Sequence, residues 1–157
     1  MGGAGAGPAV FVRRLGPGDA SVLAVLARDD ADFDLDGGAG RRTPLTETSA
    51  QSYLADPHVL HWTAWAGEEV VGSLVCHVLS MRKQPARELL LYEIGVRSAW
   101  RRRGIGRRLI STMTDWMRAE GILTAWVLAD NPGAERFYQA CGFAPGSGPA
   151  TYLQLEL

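Results

Sequence analysis

Hydrophobic positions along the chain change their period several times, and each change marks an element. Residues 9–14, Ala-Val-Phe-Val-Arg-Arg, predict a short opening strand. Pro17 and Asp19 then open a helix with Val22, Leu23, Val25 and Leu26 on its apolar side. Residues 28–44 lose all periodicity, are dense in Asp and Gly, and predict a long loop. Residues 48–55 predict a short helix stopped by Asp56-Pro57. The period then becomes extended, with strands over residues 59–66 and 70–79 around the hairpin signal Ala66-Gly67-Glu68-Glu69. A polar stretch leads to a third strand of this group, residues 88–96. An amphipathic helix follows, with Ile105, Leu109, Ile110, Met113, Trp116 and Met117 at helical spacing and Gly121 at its end. Residues 122–129 are apolar nearly throughout and predict a strand central in the sheet. Asn131-Pro132 starts a last helix that Gly142 ends, and residues 151–157 alternate as a terminal strand. The order β-α-α-β-β-β-α-β-α-β predicts one α+β domain over residues 9–157. Its mixed central sheet has an antiparallel first half and is flanked by helices. Residues 1–8, rich in Gly and Ala, predict a flexible tail.

Composition narrows the function classes. The chain of 157 residues carries 16 basic and 17 acidic side chains, so nothing global favours nucleic acid. No apolar run reaches the roughly 18–20 residues that span a bilayer. Cys76 and Cys141 lie among apolar neighbours and read as free thiols, consistent with a reducing cytoplasm. His58, His61 and His77 lack metal-ligand spacing, so no metal is expected. Trp116 and Trp126 read as core residues.

The densest chemistry is the strand-turn-helix unit running from Tyr92 through Arg101-Arg102-Arg103-Gly104-Ile105-Gly106-Arg107 into the amphipathic helix. Two glycines allow close backbone approach, and a helix N-terminus presents unpaired N–H groups and a positive dipole end. Six arginines between Arg97 and Arg108 add charge for phosphate oxygens. This combination predicts a diphosphate site. The Gly-Lys-Ser/Thr of a P-loop is absent, and Leu109 stands where a dinucleotide fingerprint has its third glycine.

Two ordered motifs carry a resemblance. Arg101-x-x-Gly104-x-Gly106 resembles the acetyl-CoA pyrophosphate loop of the GNAT superfamily of N-acetyltransferases. Asn131-x-x-Ala134-x-x-Phe137-Tyr138-x-x-x-Gly142-Phe143 is similar to that superfamily's second signature. The likeness runs from about Phe11 to Leu157. More narrowly, Gln84-Pro85-Ala-Arg followed by Tyr92-Glu93-Ile94 is similar to the Gln-Pro-Arg turn and Tyr-Asp-Leu strand of aminoglycoside 3-N-acetyltransferases.

The resemblance implies acetyl transfer from acetyl-CoA to a primary amine, in a homodimer. Glu93 becomes the candidate base, since an ammonium cannot attack until it loses a proton. The alternative is a carboxylate paired with a nearby arginine for structure. Tyr138 becomes the proton donor to the leaving thiolate, or a core tyrosine. Backbone N–H groups of Ile94, Gly95 and Val96 would hold the oxyanion and the pantetheine arm. Asn131 would hold that arm from the other side or serve only as a helix cap. On the acceptor side Asp29, Asp30, Asp32, Asp34 and Asp36 place five carboxylates in eight residues, suited to a small polycationic amine. The competing reading is a solvated acidic loop. Glu156 is a further acceptor candidate. Other amines (a polyamine, an amino acid, a protein N-terminus) and a non-catalytic acyl-CoA-binding module are the alternative functions.

Overall fold

The computed structural model of the chain describes residues 7–35 and 43–157. Residues 1–6 of the expected tail, and Asp36, lie outside the described residues. The chain divides into two compact units, Met1–Val127 and Leu128–Leu157.

The first unit is built on a five-stranded sheet with strands β1 (Val10–Arg14), β2 (Val59–Ala66), β3 (Glu69–Ser80), β4 (Arg87–Val96) and β5 (Ala125–Trp126). They lie side by side in chain order, with the first three pairings antiparallel and β4–β5 parallel. The fold is therefore the expected α+β class with a mixed sheet antiparallel in its first half. Between β1 and β2 run α1 (Ala20–Arg28), α2 (Asp30–Phe33) and α3 (Glu47–Ala55). Thr46 caps α3, its hydroxyl oxygen accepting from the Ser49 N–H at 3.2 Å. The long amphipathic helix α4 (Ile105–Glu120) links β4 to β5.

Strand residues alternate between the two sheet faces. Even-numbered positions of β2 and β3, including Trp62, Leu74 and Cys76, meet α4: the Cys76 thiol lies 3.5 Å from the Met113 sulfur, and the Trp62 and Trp116 rings pack edge to face. Odd-numbered positions face α1–α3; beyond the register shift between Ala64 and Trp65 the parity of β3 reverses, so Val70 joins Leu15, Val22, Leu26, Phe33, Leu35 and Leu54 in a second apolar cluster there.

Three expectations change. The apolar stretch 122–129 contributes only the two-residue β5, at the end of the sheet order, and Leu123, Trp126 and Leu128 are exposed. An unbroken apolar run does not by itself mean burial on both faces. The expected loop 28–44 contains the turn of helix α2, anchored by buried Phe33 and Leu35 between its aspartates. Residues 151–157 keep a strand's alternation, yet no described strand pairs with them, and Tyr152, Leu153, Leu155 and Leu157 are exposed. Alternation specifies a face, whereas a ladder also needs a partner edge.

In the second unit α5 (Pro132–Ala140) starts at Asn131, whose side-chain oxygen accepts from the Ala134 N–H at 2.8 Å. Tyr138 is buried, with its ring 5.3 Å from that of Phe137 and 5.5 Å from that of Phe143.

Candidate active site

Register counting brings the chemistry of the first unit together. His61 pairs with Val75 and Val75 with Glu93, so these three side chains stand in a row on the α1–α3 face. The register of β3 and β4 shifts between Val75 and Cys76: Val75 pairs with Glu93, Cys76 with Leu91. Tyr92 is the extra residue of this bulge. Tyr92 and Glu93 both line a cavity of about 1050 Å³, which they share with Tyr53, His61, His77, Asp30, Asp34 and Glu47. The Tyr92 ring packs edge-on to His77, 5.4 Å between centroids. Glu93 is half-buried, and its charge is felt by Tyr53.

Behind the cavity wall His61 is 5% exposed and both ring nitrogens are occupied. Nδ1 lies 3.3 Å from the Tyr53 hydroxyl and Nε2 2.9 Å from the hydroxyl of fully buried Ser73. Burial lowers the His61 pKa from 6.5 to about 4, so the ring is neutral at physiological pH. Burial, and then the charge of Glu93, push the Tyr53 hydroxyl up, so it keeps its proton.

The outer edge of β4 is the second feature. β5 pairs only with Leu89 and Leu90, so from Leu91 to Val96 no described strand covers that edge. Ile94, Gly95 and Val96 lie there. A Cβ on Gly95 would sit 2.4 Å from the Phe33 carbonyl oxygen, so only glycine admits α2 this close.

β4 then runs into the glycine-arginine turn. Gly104, immediately before α4, has φ +77, a conformation that suits glycine, and Arg102 also has φ +63. The first helical bond runs from the Arg108 N–H to the Gly104 carbonyl, so the N–H groups of Ile105 and Gly106 have no acceptor within the helix. Ile105 is buried, whereas Arg101, Arg102, Arg103 and Arg107 are exposed around the helix start. Arg103 lies over the Trp100 ring at 4.9 Å. This end of α4 fits a diphosphate: the first N–H groups of the helix, the positive end of a dipole, and exposed guanidinium groups.

The acidic cluster divides. The Arg97 guanidinium holds Asp29 at 3.0 Å, Asp32 at 3.1 Å and Glu69 at 3.3 Å, and stacks 4.5 Å over Phe33. Asp32 also accepts from the Ser98 hydroxyl and N–H. Asp29 is held well below the usual carboxylate range by Arg28 and then Arg97; Asp32 is lowered chiefly by Ser98. Both carboxylates are thus engaged by the chain's own cations and donors, because the loop must be fastened to the end of β4. Arg101 reinforces the junction, donating to the carbonyls of Val96 and Asp32. Asp30 and Asp34 instead line the cavity. In the second unit Glu156 is exposed and accepts from Gln154, and Asn131 caps α5. No cluster of His, Cys, Asp and Glu suited to a metal occurs among the described residues. None of their helices is long and apolar enough to cross a membrane.

Sequence reasoning missed Tyr53, His61 and Ser73. No local signal gave them: counting back from the turn after Ala66 sets His61 opposite Leu74, and only the register shift between Ala64 and Trp65 brings His61 and Ser73 onto one face.

A sheet whose β4 edge is left uncovered by the described strands lies beside a cavity and runs into a helix start of a kind suited to an anion. The chain belongs to the Acetyltransferase (GNAT) family, whose profile matches residues 27–143. It is 34% identical over 90 residues to the N-alpha-acetyltransferase RimI of Mycobacterium tuberculosis, covering 57% of this chain and 55% of that protein. It is 29% identical over 123 residues to the mycothiol acetyltransferase of Corynebacterium glutamicum, covering 77% and 40%. The chain therefore spans only part of the length of both curated relatives. Among solved structures, it superposes on an aminoglycoside acetyltransferase from an uncultured soil metagenomic sample, in complex with trehalose. The TM-score is 0.81 and the identity 22%, over 94% of this chain and 97% of that one.

Proposed function

We propose that the chain transfers the acetyl group of acetyl-CoA to a primary amine of a polycationic small molecule of the aminoglycoside type, at its 3-amino group. The observation that carries this reading is the Glu93 carboxylate in a cavity with Asp30, Asp34 and Glu47, on the strand that leads into the Gly104 turn. The likeness of the Gln84-to-Ile94 segment to aminoglycoside 3-N-acetyltransferases supports the position of transfer. In this proposal the N–H groups of Ile105 and Gly106 hold the pyrophosphate of acetyl-CoA with the side chains of Arg101, Arg102, Arg103 and Arg107. The β4 edge at Ile94–Val96 holds the pantetheine arm and the oxyanion, and Asn131 bonds the arm. Glu93 takes a proton from the bound ammonium. The amine nitrogen then attacks the thioester carbonyl, the C–S bond breaks as the tetrahedral intermediate collapses, and Tyr138 protonates the departing thiolate. The proton that the nitrogen sheds on becoming an amide restores Tyr138 through solvent, leaving the proton on Glu93 as the net proton released. Asp30 and Asp34, with Asp36 and Glu156, attract the remaining ammonium groups. A homodimer in a reducing cytoplasm, conferring resistance to the drug, completes the proposal; mass measurement in solution tests the assembly.

A second reading is N-terminal acetylation of a protein, favoured by the 34% identity to RimI. One experiment separates the two: release of free thiol from acetyl-CoA with aminoglycosides, polyamines and peptides with free N-termini, followed by product NMR. Aminoglycoside-dependent release with the acetyl group on the 3-amino nitrogen is expected. Release with peptides alone replaces the proposed substrate class, and no amine-dependent release overturns acetyl transfer. Acetyl-CoA should also raise the melting temperature of the wild type and not that of Gly104→Val, whose φ and added side chain both oppose a phosphate-binding turn.

A further inference from the structure

We infer that Tyr53 positions the acceptor amine, and that His61 and Ser73 hold its hydroxyl in place to do so; the inference rests on the transfer reading above. The observation is a three-member chain crossing the cavity wall: Ser73 hydroxyl, His61 imidazole, Tyr53 hydroxyl, with contacts of 2.9 and 3.3 Å. Its inner end is closed. Ser73 is fully buried and His61 nearly so, so the chain does not conduct protons to solvent. Its outer end is open, because Tyr53 lines the cavity that holds Glu93.

A neutral imidazole has one donor and one acceptor nitrogen. With Nδ1 as acceptor, Tyr53 donates to it and keeps its oxygen lone pairs for the cavity. With Nδ1 protonated, the ring donates to Tyr53, whose oxygen still keeps a lone pair. In both tautomers Tyr53 can accept a bond from an amine N–H, so the role does not depend on the assignment. The edge-on packing of the Tyr53 and His61 rings, 6.0 Å between centroids, further fixes the phenol. An amine held between the Tyr53 oxygen and the Glu93 carboxylate has two of its directions set. That limits its rotation before attack, which is where positioning lowers a barrier. The same pair explains the buried polar residues on this face: an apolar wall would satisfy the core but leave the hydroxyl free to swing.

The test compares wild type with Tyr53→Phe, His61→Asn and His61→Gln, using sisomicin as the acceptor at saturating acetyl-CoA. Steady-state kinetics are paired with calorimetric binding of sisomicin, which needs no turnover. Tyr53→Phe should raise the sisomicin KM and Kd about tenfold, the scale of one lost hydrogen bond to a charged group. The acetyl-CoA KM should not move, and the melting temperature should fall only as far as the lost partner of the buried His61 Nδ1 requires. His61→Asn keeps a polar atom near the Nδ1 position, toward Tyr53, and should retain most of the sisomicin affinity. His61→Gln keeps one toward Ser73 and should behave like Tyr53→Phe. Wild-type turnover with unchanged sisomicin KM and Kd in Tyr53→Phe overturns this inference alone. A loss in Tyr53→Phe shared equally by the acetyl-CoA KM overturns it too, by marking a general structural defect. Wild-type binding without turnover overturns the transfer reading alone, and no binding by wild type overturns both.

Discussion

The same three strands, β2 to β4, build two unlike surfaces. On the α4 side Leu60, Trp62, Ala64, Leu74, Cys76 and Leu91 are all buried and meet Ile105, Leu109 and Met113, themselves buried. On the other side His61, Thr63 and Ser73 are equally buried yet polar, and Glu93 stands half-buried beside them. The first is held by dispersion and hydrophobic burial alone, whereas the second borders the cavity. The second must satisfy every polar atom it buries, and among the described residues none lacks a partner. Even the close approaches differ. Gly72 admits side chains of α4, whereas Gly95 admits the backbone of α2. One face therefore carries adhesion, and the other carries geometry that a ligand can use.

The sharpest way to break this division is to mutate one residue on each face and read both stability and rate. Glu93→Gln should lower kcat by about 10²–10⁴-fold while leaving acetyl-CoA affinity and melting temperature near wild type. Met113→Ala, in the fully buried α4 interface, should cost about 2–5 kcal/mol of stability in urea unfolding. The kcat of its folded fraction should not change. A Glu93→Gln protein that unfolds early, or a folded Met113→Ala protein with low kcat, would show that the faces do not divide the labour.

The next effect is a pH dependence confined to the polar face. His61 titrates near 6.5 when unfolded and near 4 when folded, because burial disfavours its charged form. Between those values the unfolded chain binds the extra proton, so stability falls as pH falls from 6.5 to 4 and is unaffected above that window. Two and a half units correspond to about 3 kcal/mol. Asp29 and Asp32 act in a separate window: their lowered pKa values give stability above the ordinary carboxylate range that is lost as pH drops below it. Urea unfolding at pH 7.5 and 4.5 should show the His61 loss in wild type and not in His61→Asn. An identical slope in both proteins would place the proton elsewhere.

How much of this was legible depends on the kind of signal. The α4 face was read from its helical spacing, and Ile105, Leu109, Ile110, Met113 and Met117 are all buried there. The hairpin and the Gly104 turn were legible because glycine spacing has a local cause. Glu93 stood out as a carboxylate among apolar strand residues. The Tyr53–His61–Ser73 chain is not legible, because the one-residue register shift between Ala64 and Trp65, which no local pattern marks, decides that His61 and Ser73 share a face. Arg97 was counted among the phosphate-binding arginines, yet it fastens Asp29 and Asp32 to the end of β4, a contact across more than 60 residues that no local pattern encodes. β5 failed for a simpler reason: apolar composition was taken as burial.

The smallest effect expected concerns what remains of the acidic cluster. Asp29 and Asp32 are held by Arg97 and Ser98 at the end of β4, so their replacement would disturb the fold of the loop and would say little about the acceptor. Asp30 and Asp34 line the cavity on the same side as Glu93 and are the pair whose charge an acceptor would meet. They are partly or fully exposed, so each contributes attraction that water and salt weaken. Changing both to Asn should raise KM for an aminoglycoside by about two- to fivefold, the scale of one weak surface ion pair or two, and leave kcat and acetyl-CoA affinity unaltered. Salt supplies an independent measurement, since the Debye length shortens to about 8 Å at 0.15 M and about 3 Å at 1 M. The wild-type acceptor KM should rise over that range, and the double variant should give a flatter slope, because part of what salt screens has already been removed. The two perturbations should then combine less than additively. An unchanged KM with an unchanged salt slope would mean that the cation-attracting part of the polar face is carried by Glu47 and Glu93 alone, and that the aspartate loop serves to close the end of β4.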